Sequence, residues 1–217
     1  MTEKREIKRK RMLLYFIEAT QKIIDNEGYE AVTLRKVADL AGYNGATLYS
    51  YFEDLEELIL YASLKYLKDY NHELNQILLS SKNEREKWYD MWQSFCHYSF
   101  TSPKPYAYIF SGKHKNNVED IAAKYYALYP EDIGTDLEAL STLVKSLNLE
   151  KRNEMILKRI AAEENLEWQD LELINKLMIF SYHGLLDQRL EDKNNPSAKQ
   201  YTDEMMKYLK YILNHAD

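Results

Sequence analysis

The stretch Thr33 to Phe52, TLRKVADLAGYNGATLYSYF, constrains this chain more than any other. It reads as two brief helices joined by a tight turn. Leu34, Val37 and Ala38 share the inward side of the first helix, which Thr33 caps. Ala41, Gly42 and Tyr43 form the turn, and Gly42 fits a position that needs positive φ. Asn44 suits the N-cap of the second helix, because its side-chain oxygen can accept a backbone N–H two or three residues on. Leu48 and Phe52, four apart, return apolar surface to the core. This spacing is that of a helix-turn-helix, whose second helix can lie in a DNA major groove.

With Leu48 and Phe52 inward, Gly45, Ala46, Thr47, Tyr49 and Ser50 face outward. Gly45 and Ala46 are small enough for close approach to base edges. Thr47 offers a methyl to a thymine and a hydroxyl to an edge or phosphate. Tyr49 and Tyr51 are suitable phosphate donors. The second helix carries no Arg, Gln or Lys, so direct readout is sparse. Arg35 then carries much of it and the shape of the DNA the rest; Arg35 and Lys36, at the start of the first helix, either reach DNA at the groove edge or are simply solvated.

Six Gly and four Pro in 217 residues, with helical periodicity over long stretches, predict an all-α fold. Residues 4–26 form one helix by the recurrence of Leu13, Phe16, Ile17, Ile23 and Ile24, and Gly28 stops it. Its first turns carry Lys4, Arg5, Lys8, Arg9, Lys10 and Arg11, either a solvated terminus or a phosphate-contacting arm. The net charge of −6 does not advertise a nucleic-acid binder. Its distribution is more informative: residues 1–52 hold nine Lys and Arg against seven Asp and Glu, a balance of +2, and the rest is at −8.

The single cysteine, Cys96, has no intrachain partner, which fits a reducing cytosol. The apolar run MLLYFI after the basic segment is cut at six residues by Glu18, too short for a signal-peptide core. No stretch approaches the roughly 18 apolar residues that span a bilayer. A soluble, cytoplasmic protein with no membrane partner is expected.

The segment EGYEAVTLRKVADLAGYNGATLYSYFEDLEELI resembles the DNA-binding head of the tetracycline-repressor (TetR) family of bacterial transcriptional regulators. Gly28, Thr33, Val37, Ala38, Gly42, Thr47, Leu48, Tyr49, Tyr51, Phe52 and Leu58 carry the resemblance in register, over about residues 8–60. It implies a three-helix DNA-binding head, residues 1–52, and a larger helical effector-binding and dimerisation domain, residues 53–217. It implies Arg35, Thr47, Tyr49 and Tyr51 as DNA contacts. The surface as a whole takes in Arg35, Lys36, Asn44, Gly45, Ala46, Thr47, Tyr49, Ser50 and Tyr51. One departure stands out. The family usually has a phosphate-contacting Lys where this chain has Leu55, flanked by Glu53, Asp54, Glu56 and Glu57. The departure predicts weaker, less salt-sensitive DNA binding unless the N-terminal basic run compensates. Asp54 and Glu57 are spaced as a capping box.

Beyond the head, helices are expected at 54–80, 84–101, 106–111, 118–129, 132–147, 150–164, 168–190 and 198–215, with a polar loop at 113–117. A helix over 54–80 would touch both head and body and so could transmit a change between them. The 19 tyrosines are many. Each brings an apolar face and a polar tip, and a cavity lined with them suits an aromatic or amphipathic small molecule. Trp92, Phe95, Cys96, Tyr108, Phe110, Tyr125 and Tyr126 are the pocket candidates, from body segments where the resemblance puts an effector. The stripes Leu171, Ile174, Met178, Tyr182, Leu185 and Tyr201, Met205, Tyr208, Ile212 pack either within one chain or across a homodimer through residues 168–190 and 198–215. The resemblance and the two-fold logic of the motif favour the dimer. Gly184, inside a helix, calls for a close helix–helix approach.

The sequence does not point to an enzyme. His72, His97, His114, His183 and His215 form no ligand pair at helical spacing, and His183 with Asp187 is the one i,i+4 pair that touches on metal chemistry. GYNG at 42–45 lacks the Lys-Ser/Thr of a phosphate loop. Neither a cofactor nor a metal is called for. Two readings remain: a ligand-responsive repressor released from a palindromic double-stranded operator by a small molecule, and a dimeric ligand-binding or protein-interaction module with weakened DNA binding.

Overall fold

The computed structural model describes residues 3–133, 146–167, 170–192 and 196–215. All secondary structure among them is helical. The expected helix over 132–147 lies, apart from its ends, outside the described residues.

The head begins with α1 (Glu3–Glu27), whose inward residues Phe16 and Ile17 are fully buried. The chain then enters α2 (Leu34–Ala41) and the single turn α3 (Gly45–Leu48). Each start is capped as the sequence predicts. The Thr33 hydroxyl accepts from Lys36 N–H and the Asn44 carbonyl from Ala46 N–H. Gly42 ends α2 in the left-handed conformation, at φ 77° and ψ 29°, where a Cβ would be strained. The second helix is shorter than 44–51: regular α geometry stops at Leu48 and residues 49–51 continue as turns. Leu48 and Phe52 are buried all the same, and Phe16 meets Phe52 edge-on at 6.1 Å.

The helix expected over 54–80 is broken. It consists of α4 (Leu55–Ser63), a 3₁₀ turn at Leu64–Leu67, and α5 (Lys68–Leu79). The break follows Ser63, the last residue of α4. Its hydroxyl back-bonds to Ile59 C=O at 2.8 Å and also meets the Tyr29 hydroxyl at 3.0 Å. Back-bonding of this kind bends helices. α4 packs against α1 on one side and α7 (Pro103–Phe110) on the other, so it belongs to head and body together.

The body is centred on α6 (Glu84–Thr101), which starts in a capping box from Asn83 and Glu86 and ends before Pro103. Around α6 lie α5, α7, α9 (Leu149–Glu164), α10 (Leu171–Glu191) and α11 (Ala198–Asn214), with α8 (Val118–Tyr126) beside α4. The apolar core runs unbroken from head to body, and Trp88, Tyr70, Tyr106, Tyr125 and Tyr182 are among its largest fully buried side chains. Many of the tyrosines are therefore core residues, some, such as Tyr106, with hydroxyls unpartnered among the described residues and others with hydroxyls partnered inside. Ser99 and Tyr182, for example, meet at 2.7 Å.

Candidate nucleic-acid interface and ligand cavity

The helix-turn-helix places its candidate residues on one outward surface. Arg35 projects with 92% of its side chain exposed and only a loose 3.7 Å contact to Asp39, an arrangement worth little in water. Lys36 pairs with Glu27 of α1. Asn44, Ala46, Tyr49 and Ser50 are exposed, while Gly45, Thr47 and Tyr51 are half-buried. Asn44 is engaged as the cap of α3, leaving part of its amide outward. A Cβ on Gly45 would stand 3.4 Å from Leu34 Cγ. That is an ordinary van der Waals contact, so the packing of α2 on α3 does not itself require a glycine here.

The structure adds a contact that sequence reasoning missed. The Arg9 guanidinium lies 5.6 Å from the centre of the Tyr51 ring, so the basic start of α1 is held at the end of the second motif helix. Lys4, Arg5, Lys8, Lys10 and Arg11 are exposed and take part in no ion pair among the described residues. The signal in the sequence was the basic run itself; its docking against Tyr51 needed the fold.

At the start of α4, Leu55 is half-buried against the core. Beside it, Asp54 caps the helix by accepting from Glu57 N–H and also receives Lys113 Nζ at 2.6 Å and His114 Nε2 at 2.9 Å. Burial pushes the Asp54 carboxyl upward, but these hydrogen bonds outweigh it and hold the pKa at about 2. Lys113 and His114 come from the body, in the turn after α7. Gly112 in that turn has no room for a Cβ, which would stand 2.4 Å from Tyr108 C=O. Just before it, Ser111 meets His183 of α10 at 3.0 Å. Polar contacts therefore run from α10 through one turn to the cap of α4.

In the body, Trp92 and Phe95 border a small, partly open cavity of about 20 Å³, with Tyr70, Trp88, Met91, Leu149, Arg152, Asn153 and Ile156 around it. That volume holds about one water molecule. The Asn153 amide oxygen accepts from both indoles, Trp88 at 2.7 Å and Trp92 at 2.8 Å, and its nitrogen donates to Asn175 at 2.8 Å. The other pocket candidates lie around this space or away from it. Cys96 is fully buried, and burial pushes its thiol well up, so it is inert. Phe110 packs edge-on against Phe95 at 5.3 Å. Tyr126 accepts from Asn71, and Tyr125 donates to the buried Asp132 at 2.7 Å. Tyr108 stacks on Tyr29 at 5.2 Å in the seam between head and body.

Among the described residues, no group of three or more His, Cys, Asp and Glu is placed to hold a metal. None of their helices is long and apolar enough to cross a membrane.

The comparisons with known proteins follow the same division. Residues 16–62 match the family model described as bacterial regulatory proteins, tetR family. No curated protein matches the sequence. Among solved structures, the chain is similar to Thermus thermophilus FadR, a TetR-family transcriptional repressor solved with lauroyl-CoA. The TM-score is 0.64 at 15% identity, over 93% of each chain. PfmR, a TetR-family transcriptional regulator also from Thermus thermophilus, gives 0.53 at 18% identity over 93% of this chain and 98% of its own. A TetR-like transcriptional regulator from a Rhodococcus species gives 0.54 at 12%, over 94% and 96%. At these identities the likeness establishes the fold. Residues 16–62 thus match the model of the tetR family of bacterial regulatory proteins, and the chain as a whole has the fold seen in solved TetR-family transcriptional regulators.

Proposed function

We propose that this protein is a dimeric, ligand-responsive transcriptional repressor without enzymatic activity. It holds a palindromic double-stranded operator and is released by a small molecule. The observation that carries the reading is the single surface made by the exposed α2–α3 face and the basic first turns of α1, joined where Arg9 covers Tyr51. Phosphates would be taken by Arg9, Arg35, Tyr49 and Tyr51, with Lys36, Asn44 and Ser50 at the margin, and base edges would be approached at Gly45, Ala46 and Thr47. Such a protein works where the chromosome is, in the cytoplasm.

Dimerisation is supported by an uncovered stripe. Leu173, Leu177 and Phe180 of α10 are 54%, 45% and 68% exposed, and Gly184 continues the line with nothing of its own chain within 4 Å of a Cβ. Tyr208 and Tyr211 of α11 extend it. A second copy would cover this face and supply the close approach that Gly184 allows.

The effector reading is supported by the tryptophan-walled space and by the ligand of the similar FadR, which is lauroyl-CoA. A ligand that widened the α5–α6–α9 region would act on the head through α4, which is continuous with α5 by way of the turn at 64–67. It can do so only through unequal affinity for the two arrangements. The Lys113–Asp54 pair favours the second reading, a ligand-binding module with weakened DNA binding, because it places a carboxylate where a phosphate would sit. Selection of duplexes from a random pool separates the two. A palindromic consensus supports the repressor, and no enrichment by a folded dimer supports the module.

A further inference from the structure

Arg152, on α9, is 4% exposed, yet no carboxylate among the described residues is paired with it. Its guanidinium lies 5.4 Å from the centre of the Tyr70 ring and 5.3 Å from that of Phe95. Those π faces attract a cation but offer none of the in-plane acceptors that its five N–H groups require. The described residues give it neither a hydrogen bond nor an ion pair. Buried arginines are ordinarily paired, because an unpaired buried charge is costly. The buried carboxylate Asp132 is already committed to Lys68 at 3.0 Å and to Tyr125.

Several tyrosine hydroxyls lie near Arg152. The Tyr106 hydroxyl is buried without a partner. Burial raises the pKa of Tyr70, Tyr106, Tyr126 and Tyr182 against the opposing charge of Arg152, so all four stay protonated and able to donate. Asn153 also lines the wall, with its amide committed to both indoles and to Asn175, and the rest is apolar or aromatic: Trp88, Met91, Trp92, Leu149 and Ile156. A buried cation with hydroxyl donors around it has the chemistry to receive an anion. A guanidinium fork matches a carboxylate bidentately.

We propose that the α5–α6–α9 cavity binds a monocarboxylate with an apolar or aromatic body, whose carboxylate is taken by Arg152 and whose body lies against Trp88 and Trp92. The proposal rests on the effector reading above and names the chemistry of that effector. The cavity of about 20 Å³ is too small for such a molecule, so entry displaces wall side chains. Met91, unbranched and flexible, is the wall residue best suited to swing aside.

The test is a titration of the full-length dimer, followed by tryptophan emission, with decanoate, phenylacetate and benzoate, each beside its primary amide. At least one acid should bind ten-fold or more tightly than its amide. Arg152→Met should lower that affinity at least ten-fold. It should also leave the melting temperature of the ligand-free protein unchanged or raised, since it removes an unpaired buried charge. Equal binding of acid and amide, no binding of any acid, or undiminished binding by Arg152→Met would overturn the proposal. So would a sharp drop in melting temperature, which would mark Arg152 as structural. The same compounds are then added to the protein–operator complex. Acids that bind through Arg152 without releasing DNA would leave this site standing and refute release. Release by an amide, unaffected by Arg152→Met, would keep the repressor and remove the carboxylate site.

Discussion

Replacing Asn153 with Leu should destabilise the protein severely, although no volume is lost. Asn153 is 4% exposed and its partners are buried as deeply: Trp88 at 0%, Trp92 at 6% and Asn175 at 2%. Its one carbonyl oxygen accepts from two indoles, and its amide nitrogen holds the Asn175 oxygen. Leucine leaves two indole N–H groups and one amide oxygen without partners in the core. An orphaned buried polar group costs about 1–3 kcal/mol. Three of them give at least about 3 kcal/mol, a large share of the roughly 5–15 kcal/mol that holds an ordinary protein folded. The assay is urea unfolding at fixed chain concentration, followed by tryptophan emission and far-ultraviolet circular dichroism. With a urea slope of about 1–3 kcal/mol per molar, the midpoint should fall by about 1 M or more. A fall below about 0.3 M with unchanged slope would refute the claim that this amide pins both tryptophans.

Three further outcomes follow from the surfaces described. Tyr49→Phe removes an exposed hydroxyl available to phosphate, so operator affinity should drop about three- to ten-fold, on the order of 1 kcal/mol, with dimer and fold intact; unchanged affinity in an anisotropy titration counts against that contact. Phe180→Asp puts a charge in the uncovered stripe of both chains. At about 1.5–3 kcal/mol for each phenylalanine, dimer dissociation should rise at least about 100-fold by analytical ultracentrifugation, and an undisturbed dimer would place the interface elsewhere. Asp54 titrates in the folded protein at about 2, below its ordinary value near 4, so its contribution is complete above pH 4 and is lost as pH falls from 4 to 2. Asp54→Asn should therefore melt lower than the parent at neutral pH, with the gap closing toward pH 2, whereas a gap independent of pH would show that the charge is not what matters.

The head was legible because its rules are local. Thr33, Gly42 and Asn44 act within three residues of themselves, and Leu48 with Phe52 spans one helical turn. The long body helices were legible for the same reason, from apolar periodicity and from stops such as Pro103. The break at Leu64–Leu67 was not: it follows Ser63, whose hydroxyl is as much engaged with Tyr29, 34 residues away, as with its own helix. The aromatic candidates could be named from composition but not arranged. Trp92 and Phe95 border the small cavity, while Tyr108 stacks in the seam with Tyr29. The inward turn of Arg152 is not legible in LEKRNEMILKRI, which reads as a charged outer face around a narrow apolar stripe. Only the crossing of α9 over Tyr70 and Phe95 turns that residue inward.

The central claim is that two heads grip one duplex through the α2–α3 face and the basic start of α1. Its most direct measurement is the affinity for the selected operator at several salt concentrations, with stoichiometry determined in the same titrations. Two phosphate-neutralising cations per head predict two chains per duplex and a slope of log K against log salt of about −4, at roughly −0.9 for each phosphate. The slope should flatten toward half of that when Arg9 is replaced by Gln. One chain per duplex, or a slope near zero that Arg9→Gln does not change, would contradict the account.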